Sequence, residues 1–173
     1  MRRILLSVLV VGTALSLISC GKPDNTAIGY WDTAIALFSQ SDYTGTIKQY
    51  EKLVKHFPDD SLAVSAMFTI ADVYKNNLNN AKKAIKVYER IIDKYKGTER
   101  AANAHFMIGY VYANDIKDLK KAEKYYKSFI EKYPTNILAP SAEWELKHLG
   151  KSLEEIPELQ SVTQGDSVAQ GNK

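Results

Sequence analysis

Apolar residues recur three and four apart through most of the chain, and they do so in a register that repeats. One run is Ile47, Tyr50, Leu53, Val54 and Phe57, separated mainly by Lys, Gln and Glu; it returns as Ile85, Tyr88, Ile91, Ile92 and Tyr95. The same displacement applied again brings Tyr126, Phe129, Ile130 and Tyr133. This spacing predicts amphipathic helices with one apolar stripe each. A second kind of helix is predicted between them, over Leu62 to Tyr74 and Ala101 to Tyr112. There Ala66, Phe68 and Ile70 match Ala104, Phe106 and Ile108, and then Ala142, Trp144 and Leu146. Small residues recur where helices must approach closely: Ala63, Ala101 and Ala139, and Ala71 with Gly109. Breaks and caps are predicted at Pro58-Asp59-Asp60-Ser61, Asn76-Asn77, Lys96-Gly97-Thr98, Asn114-Asp115 and Pro134-Thr135-Asn136. No alternating strand pattern competes with this reading. The expected fold is an all-α solenoid of about three helix pairs within residues 27–160, closed by a C-terminal capping helix from Leu138 to Leu149. The segment after it, Leu153 to Pro157, is cut short by its proline and reads as part of the cap. A helix pair of this kind cannot bury its faces alone, so the copies must stack.

These residues resemble tetratricopeptide repeats. Ile108-Gly109 with Tyr112, then Ala122, Tyr126, Phe129 and Pro134, follow the family pattern throughout. Ile70-Ala71 with Tyr74, then Ala84, Tyr88, Ile91 and Lys96, follow it except at the closing proline, and an earlier copy uses Trp31, Phe38, Thr46, Tyr50 and Pro58. The period, read from Tyr50 to Tyr88 to Tyr126, exceeds the usual length of about 34 for this family, which implies longer loops. The resemblance implies that first-helix positions line a groove for peptides or partner helices. Here those positions are Ser65, Phe68, Asp72, Asn103, Phe106, Tyr110, Trp144 and His148. For the three aromatics, packing between repeats is an equal reading. Tyr50, Tyr88, Tyr126, Tyr95 and Tyr133, five of the 11 tyrosines, fall where the family packs its core.

The amino terminus carries a different signal. Arg2 and Arg3 precede an apolar run from Ile4 to Ile18, the layout of a secretory signal. Leu17-Ile18-Ser19-Cys20 resembles the lipobox of bacterial lipoproteins, and Cys20 is the single cysteine of the 173 residues. That resemblance implies cleavage after residue 19, acylation of Cys20 and a short tether over residues 20–26. The run is shorter than the roughly 20 apolar residues that span a bilayer. Residues 161–173, rich in Gln, Ser, Gly and Asn, read as a disordered tail.

Charge adds little. The chain has 23 basic and 20 acidic residues; without Arg2 and Arg3 the count is 21 against 20. No basic stripe interleaved with stacking aromatics points to nucleic acid. His56, His105 and His148 are isolated from one another, His105 reads as a variable helix-face residue, and no metal-ligand spacing, phosphate loop or nucleophile elbow appears. The expectation is a protein with no catalytic residue, no metal, no cofactor and no small-molecule substrate. A lipidated solenoid resembles the BamD-like lipoproteins that assist β-barrel insertion in the outer membrane, and Ala122 to Pro134 with Ala139-Pro140-Ser141-Ala142 also resembles the YbgF/CpoB proteins of the Tol-Pal system. The resemblance implies a lipid-anchored adaptor on the periplasmic face of the outer membrane, with envelope proteins as partners. A glycan-binding lipoprotein that uses the aromatic line as its platform is the competing reading.

Overall fold

In a computed structural model of the chain, residues 25–159 are described. The expectations for the signal, for Cys20 and for the tail therefore lie outside the described residues. Among the described residues, seven α-helices follow one another: α1 (Ala27–Ser39), α2 (Tyr43–His56), α3 (Ser61–Asp72), α4 (Ala81–Lys94), α5 (Glu99–Val111), α6 (Leu119–Lys132) and α7 (Ala139–Lys147). Each packs chiefly on its chain neighbours, and no strand is present among the described residues. The fold is an all-α solenoid of three pairs, α1–α2, α3–α4 and α5–α6, with α7 laid against α6.

The period is written most clearly in the turns within the pairs. The second helices begin at Tyr43, Ala81 and Leu119, one full period apart each time. Two positions earlier stand Ser41, Asn79 and Lys117, each left-handed, with φ of 61°, 49° and 62°. Next come Asp42, Asn80 and Asp118, whose side chains accept from the backbone N–H of Gly45, Lys83 and Lys121 at 2.8, 3.1 and 3.1 Å. The left-handed residue reverses the chain at some conformational cost. The Asx cap then satisfies a first-turn donor of the new helix.

The first helices of the second and third pairs do not stop where the asparagines predicted. α3 continues as a π-helical turn through Val73–Asn77, and α5 through Tyr112–Ile116. Asn76-Asn77 and Asn114-Asp115 therefore lie inside these widened turns. The breaks come later, and the backbone N–H groups of Asn80 and Asp118 reach back to the carbonyls of Tyr74 and Tyr112 at 2.7 and 2.9 Å. The capping helix is shorter than expected, ending at Lys147, and a 3-10 turn over Leu153–Glu155 brings Ile156 into the core, 2% exposed.

Packing inside each pair follows one rule. A tyrosine of the second helix, Tyr50, Tyr88 or Tyr126, is buried. It meets an aromatic of the first helix: Trp31–Tyr50 at 5.1 Å between ring centroids, Phe68–Tyr88 at 6.0 Å and Phe106–Tyr126 at 5.7 Å. Tyr95 and Tyr133 are only half-buried, at the edge of the core. Ala63, Ala101 and Ala139 are buried as their size suggests. At Gly109 a Cβ would lie 2.9 Å from Tyr126 Cε1, so the absent methyl lets the ring through. α5 serves two cores. Ala104, Ile108 and Val111 join the large one toward the amino terminus, and Ala102 joins the small one with Tyr126, Phe129, Ala139 and Ala142. Adjacent pairs are also linked by polar contacts on the second helices: Arg90 Nη1 and Nη2 donate to Glu51 at 2.7 and 3.0 Å, and Lys94 Nζ donates to the Pro58 carbonyl at 2.7 Å.

His105 corrects the sequence reading. It is not a helix-face residue but 5% exposed, its ring set among Tyr125, Phe129 and Tyr133 at 5.4, 6.2 and 5.9 Å. Met67 fills the equivalent place one repeat earlier and is likewise buried. An apolar slot recurs here, and in the third pair a histidine occupies it.

Candidate functional site

The eight first-helix positions expected to face a partner divide into three kinds. Phe68 and Phe106 are half-buried and spend one face on the tyrosine cores, so packing claims much of them. Ser65 is half-buried, and its carbonyl accepts from Thr69 Oγ1 at 3.1 Å within α3. Asn103 is half-buried, and its buried Oδ1 has no hydrogen-bond partner. Asp72 is exposed at the end of α3, and its Oδ1 accepts from Tyr88 Oη at 3.2 Å.

Tyr110, Trp144 and His148 come together. They line one cavity of about 540 Å³ between the carboxyl end of α5, the start of α6, α7 and the segment that follows it. Its walls also include Ala113, Leu119, Glu145, Lys151 and Ile156. Trp144 is 41% exposed while Phe68 and Phe106 are not exposed, and the reason is topological. Unlike α3 and α5, α7 is not paired with a tyrosine-bearing helix among the described residues, so no tyrosine covers the Trp144 ring. Its neighbour is instead His148, 4.6 Å away, whose Nδ1 lies 2.9 Å from the Trp144 carbonyl.

Electrostatics differ along the face. Burial raises the pKa of Asp72 although much of the residue is open to solvent, and the Tyr88 hydrogen bond and Lys75 pull it back. Tyr88 is pushed far above the ordinary phenol range by burial first and by the Asp72 charge second. At the cavity, burial raises the pKa of half-buried Glu145, against a smaller opposing effect of His148. Glu145 forms no hydrogen bond or ion pair among the described residues. Lys75 Nζ stands 5.7 Å from the Tyr110 ring centroid, carrying the face from the second pair to the third.

Glu145 lines the cavity and was not among the expected positions, whereas Tyr126 lies in the core, 0% exposed. Tyr126 was legible as core. That its hydroxyl lacks a mate could have been read from the repeat itself, because Tyr110 stands where the preceding copy has Asp72.

Residues 65–98 and 103–136 match the family model described as tetratricopeptide repeat. These two stretches are similar to tetratricopeptide repeats. One runs from inside α3 past the end of α4, the other from inside α5 past the end of α6. No curated protein matches the chain. Tetratricopeptide repeats commonly mediate protein–protein interactions.

Proposed function

We propose that the protein is a membrane-anchored scaffold of the bacterial cell envelope, held by acylated Cys20, which receives a partner protein on its first-helix face. The observation that carries this reading is the stacking of helix pairs, with Trp144 exposed beside a cavity. A solenoid presents extended surface rather than an enclosed reaction site. The resemblance of Leu17-Ile18-Ser19-Cys20 to a lipobox supplies the anchor, and no helix among the described residues is long and apolar enough to cross a membrane. Gly21 after Cys20 lacks the aspartate that retains lipoproteins at the inner membrane in some bacteria, so the outer membrane is the proposed location and barrel assembly, as in BamD-like proteins, the proposed process. On this reading the protein binds and does not catalyse.

Two measurements test it. A Cys20→Ala chain should leave the membrane fraction, and the native chain should float with outer membranes; retention of the variant, or inner-membrane recovery of the native chain, overturns the anchor or its sorting. Affinity capture from detergent-solubilised membranes, with a tag placed at residue 173, should recover an envelope protein. Recovery of no protein, together with glycan binding abolished by Trp144→Ala, would establish the glycan-binding alternative.

A further inference from the structure

We propose that the cleft between α5 and α6 around His105 binds a phosphate group, either free or at the end of a larger molecule. The cleft is a cavity of about 210 Å³ lined by His105, Lys124, Tyr125, Ser128 and Lys132. His105 is 5% exposed, and its Nε2 has no hydrogen-bond partner. A buried polar atom left unpaired is costly, so this nitrogen favours a polar group brought to it. The Lys124 and Lys132 ammonium groups have no hydrogen bond or ion pair among the described residues. With two lysines and no carboxylate on its wall, the cleft selects an anion.

The preceding pair shows what has changed. One period earlier His105 is Met67, Tyr125 is Val87 and Ser128 is Arg90. There Arg90 bridges to Glu51 at 2.7 and 3.0 Å, and Lys94, the counterpart of Lys132, donates to the Pro58 carbonyl at 2.7 Å. In the third pair Ser128 is too short to repeat that bridge to Glu89, and Lys132 makes no matching bond. Exchange of arginine for serine leaves room, and exchange of methionine for histidine puts a polar ring on the wall. Lys124, Ser128 and Lys132 follow at four-residue steps on one face of α6, so three donors approach from different heights. A tetrahedral phosphate has an oxygen for each of them, whereas a carboxylate has two in one plane. A phosphate that keeps a proton either donates to Nε2 or accepts from it, so it suits both tautomers. Burial, and after it the Lys132 charge, hold the His105 pKa below 6.5, so the lysines supply the positive charge at neutral pH. Burial and then the Glu89 charge raise the Tyr125 pKa; this carboxylate of α4 opposes an anion, but it is not on the wall.

The test is a calorimetric titration of the full chain in detergent, at neutral pH and fixed ionic strength. The probes are inorganic phosphate, glycerol phosphate, dimethyl phosphate and acetate. Inorganic phosphate should bind saturably, and dimethyl phosphate and acetate should bind about ten-fold more weakly or not at all. Lys132→Gln, a change at an exposed residue, should weaken phosphate by about ten-fold, and His105→Met by about three-fold, with folding confirmed by circular dichroism. Glycerol phosphate bound as well as phosphate assigns the cleft to the end of a larger molecule, and phosphate bound alone assigns it to the free anion; either outcome supports the proposal. No saturable response to phosphate, equal binding of acetate or dimethyl phosphate, or an affinity unchanged in either variant would each overturn it.

Discussion

Tyr88 Oη donates a 3.2 Å hydrogen bond to Asp72 Oδ1, joining the end of α3 to the middle of α4. One repeat later the same hydroxyl belongs to Tyr126, and it has no such bond because Tyr110 replaces the aspartate. The two tyrosines are equally buried, so their hydroxyls are a matched comparison.

Phenylalanine at each position should therefore have opposite consequences. Tyr88→Phe removes a satisfied bond and should cost about 1 kcal/mol. Tyr126→Phe removes an unpaired buried hydroxyl and should be neutral or stabilising by up to about 1 kcal/mol. Urea unfolding of the two variants checks this, and equal destabilisation would show that Tyr126 has a partner in solution.

Stability should fall in mild acid because of His105. Burial, aided by Lys132, lowers its pKa below the ordinary 6.5, against a backbone hydrogen bond with Tyr125. The unfolded chain takes up a proton as pH drops through about 6.5 while the folded chain resists, so the unfolded state gains and stability declines toward the folded pKa. Above that window the contribution is fully present. His105→Met, the residue that the preceding repeat places there, should flatten the dependence of melting temperature between about pH 7.5 and 5.5. An unchanged slope would assign the acid sensitivity elsewhere.

Gly109 is needed for closeness rather than for an unusual backbone angle, since it lies within α5. A Cβ there would stand 2.9 Å from Tyr126 Cε1 and 3.4 Å from Tyr125 Cβ. Gly109→Val should cost about 2 kcal/mol by overpacking, despite the better helix propensity of valine. Calorimetry on the variant gives the number, and a melting temperature at or above the native value would mean that the ring moves freely aside.

The Glu51–Arg90 contact between pairs has good geometry but weak leverage, because its side chains are 38% and 47% exposed. A double-mutant cycle with Glu51→Ala and Arg90→Ala should return a coupling of about 0.5 kcal/mol that shrinks in high salt. A coupling several times larger would make this bridge a principal tie between repeats.

The helices were legible in the sequence because their stripes are copied: Tyr50, Tyr88 and Tyr126 share one phase and all three are buried. The π-turns after α3 and α5 were not, since apolar spacing records which face is inward and not which carbonyl a given N–H reaches. Ser41 and Lys117 gave no warning of left-handed backbone, although the Asp42, Asn80 and Asp118 caps beside them recur at the repeat period in plain view. At the site, the aromatic line was visible but its division was not. Whether Phe68, Phe106 or Trp144 is covered depends on a helix from elsewhere in the chain, and periodicity within one helix carries no record of that neighbour.

The junctions at residues 41–42, 79–80 and 117–118 share one conformation and one cap chemistry. A block excised between two of them begins and ends on the same fitting. Duplicating such a block would lengthen the array without asking any joint to adopt a new shape, which makes the reach of this protein a quantity that can be dialled in modular steps.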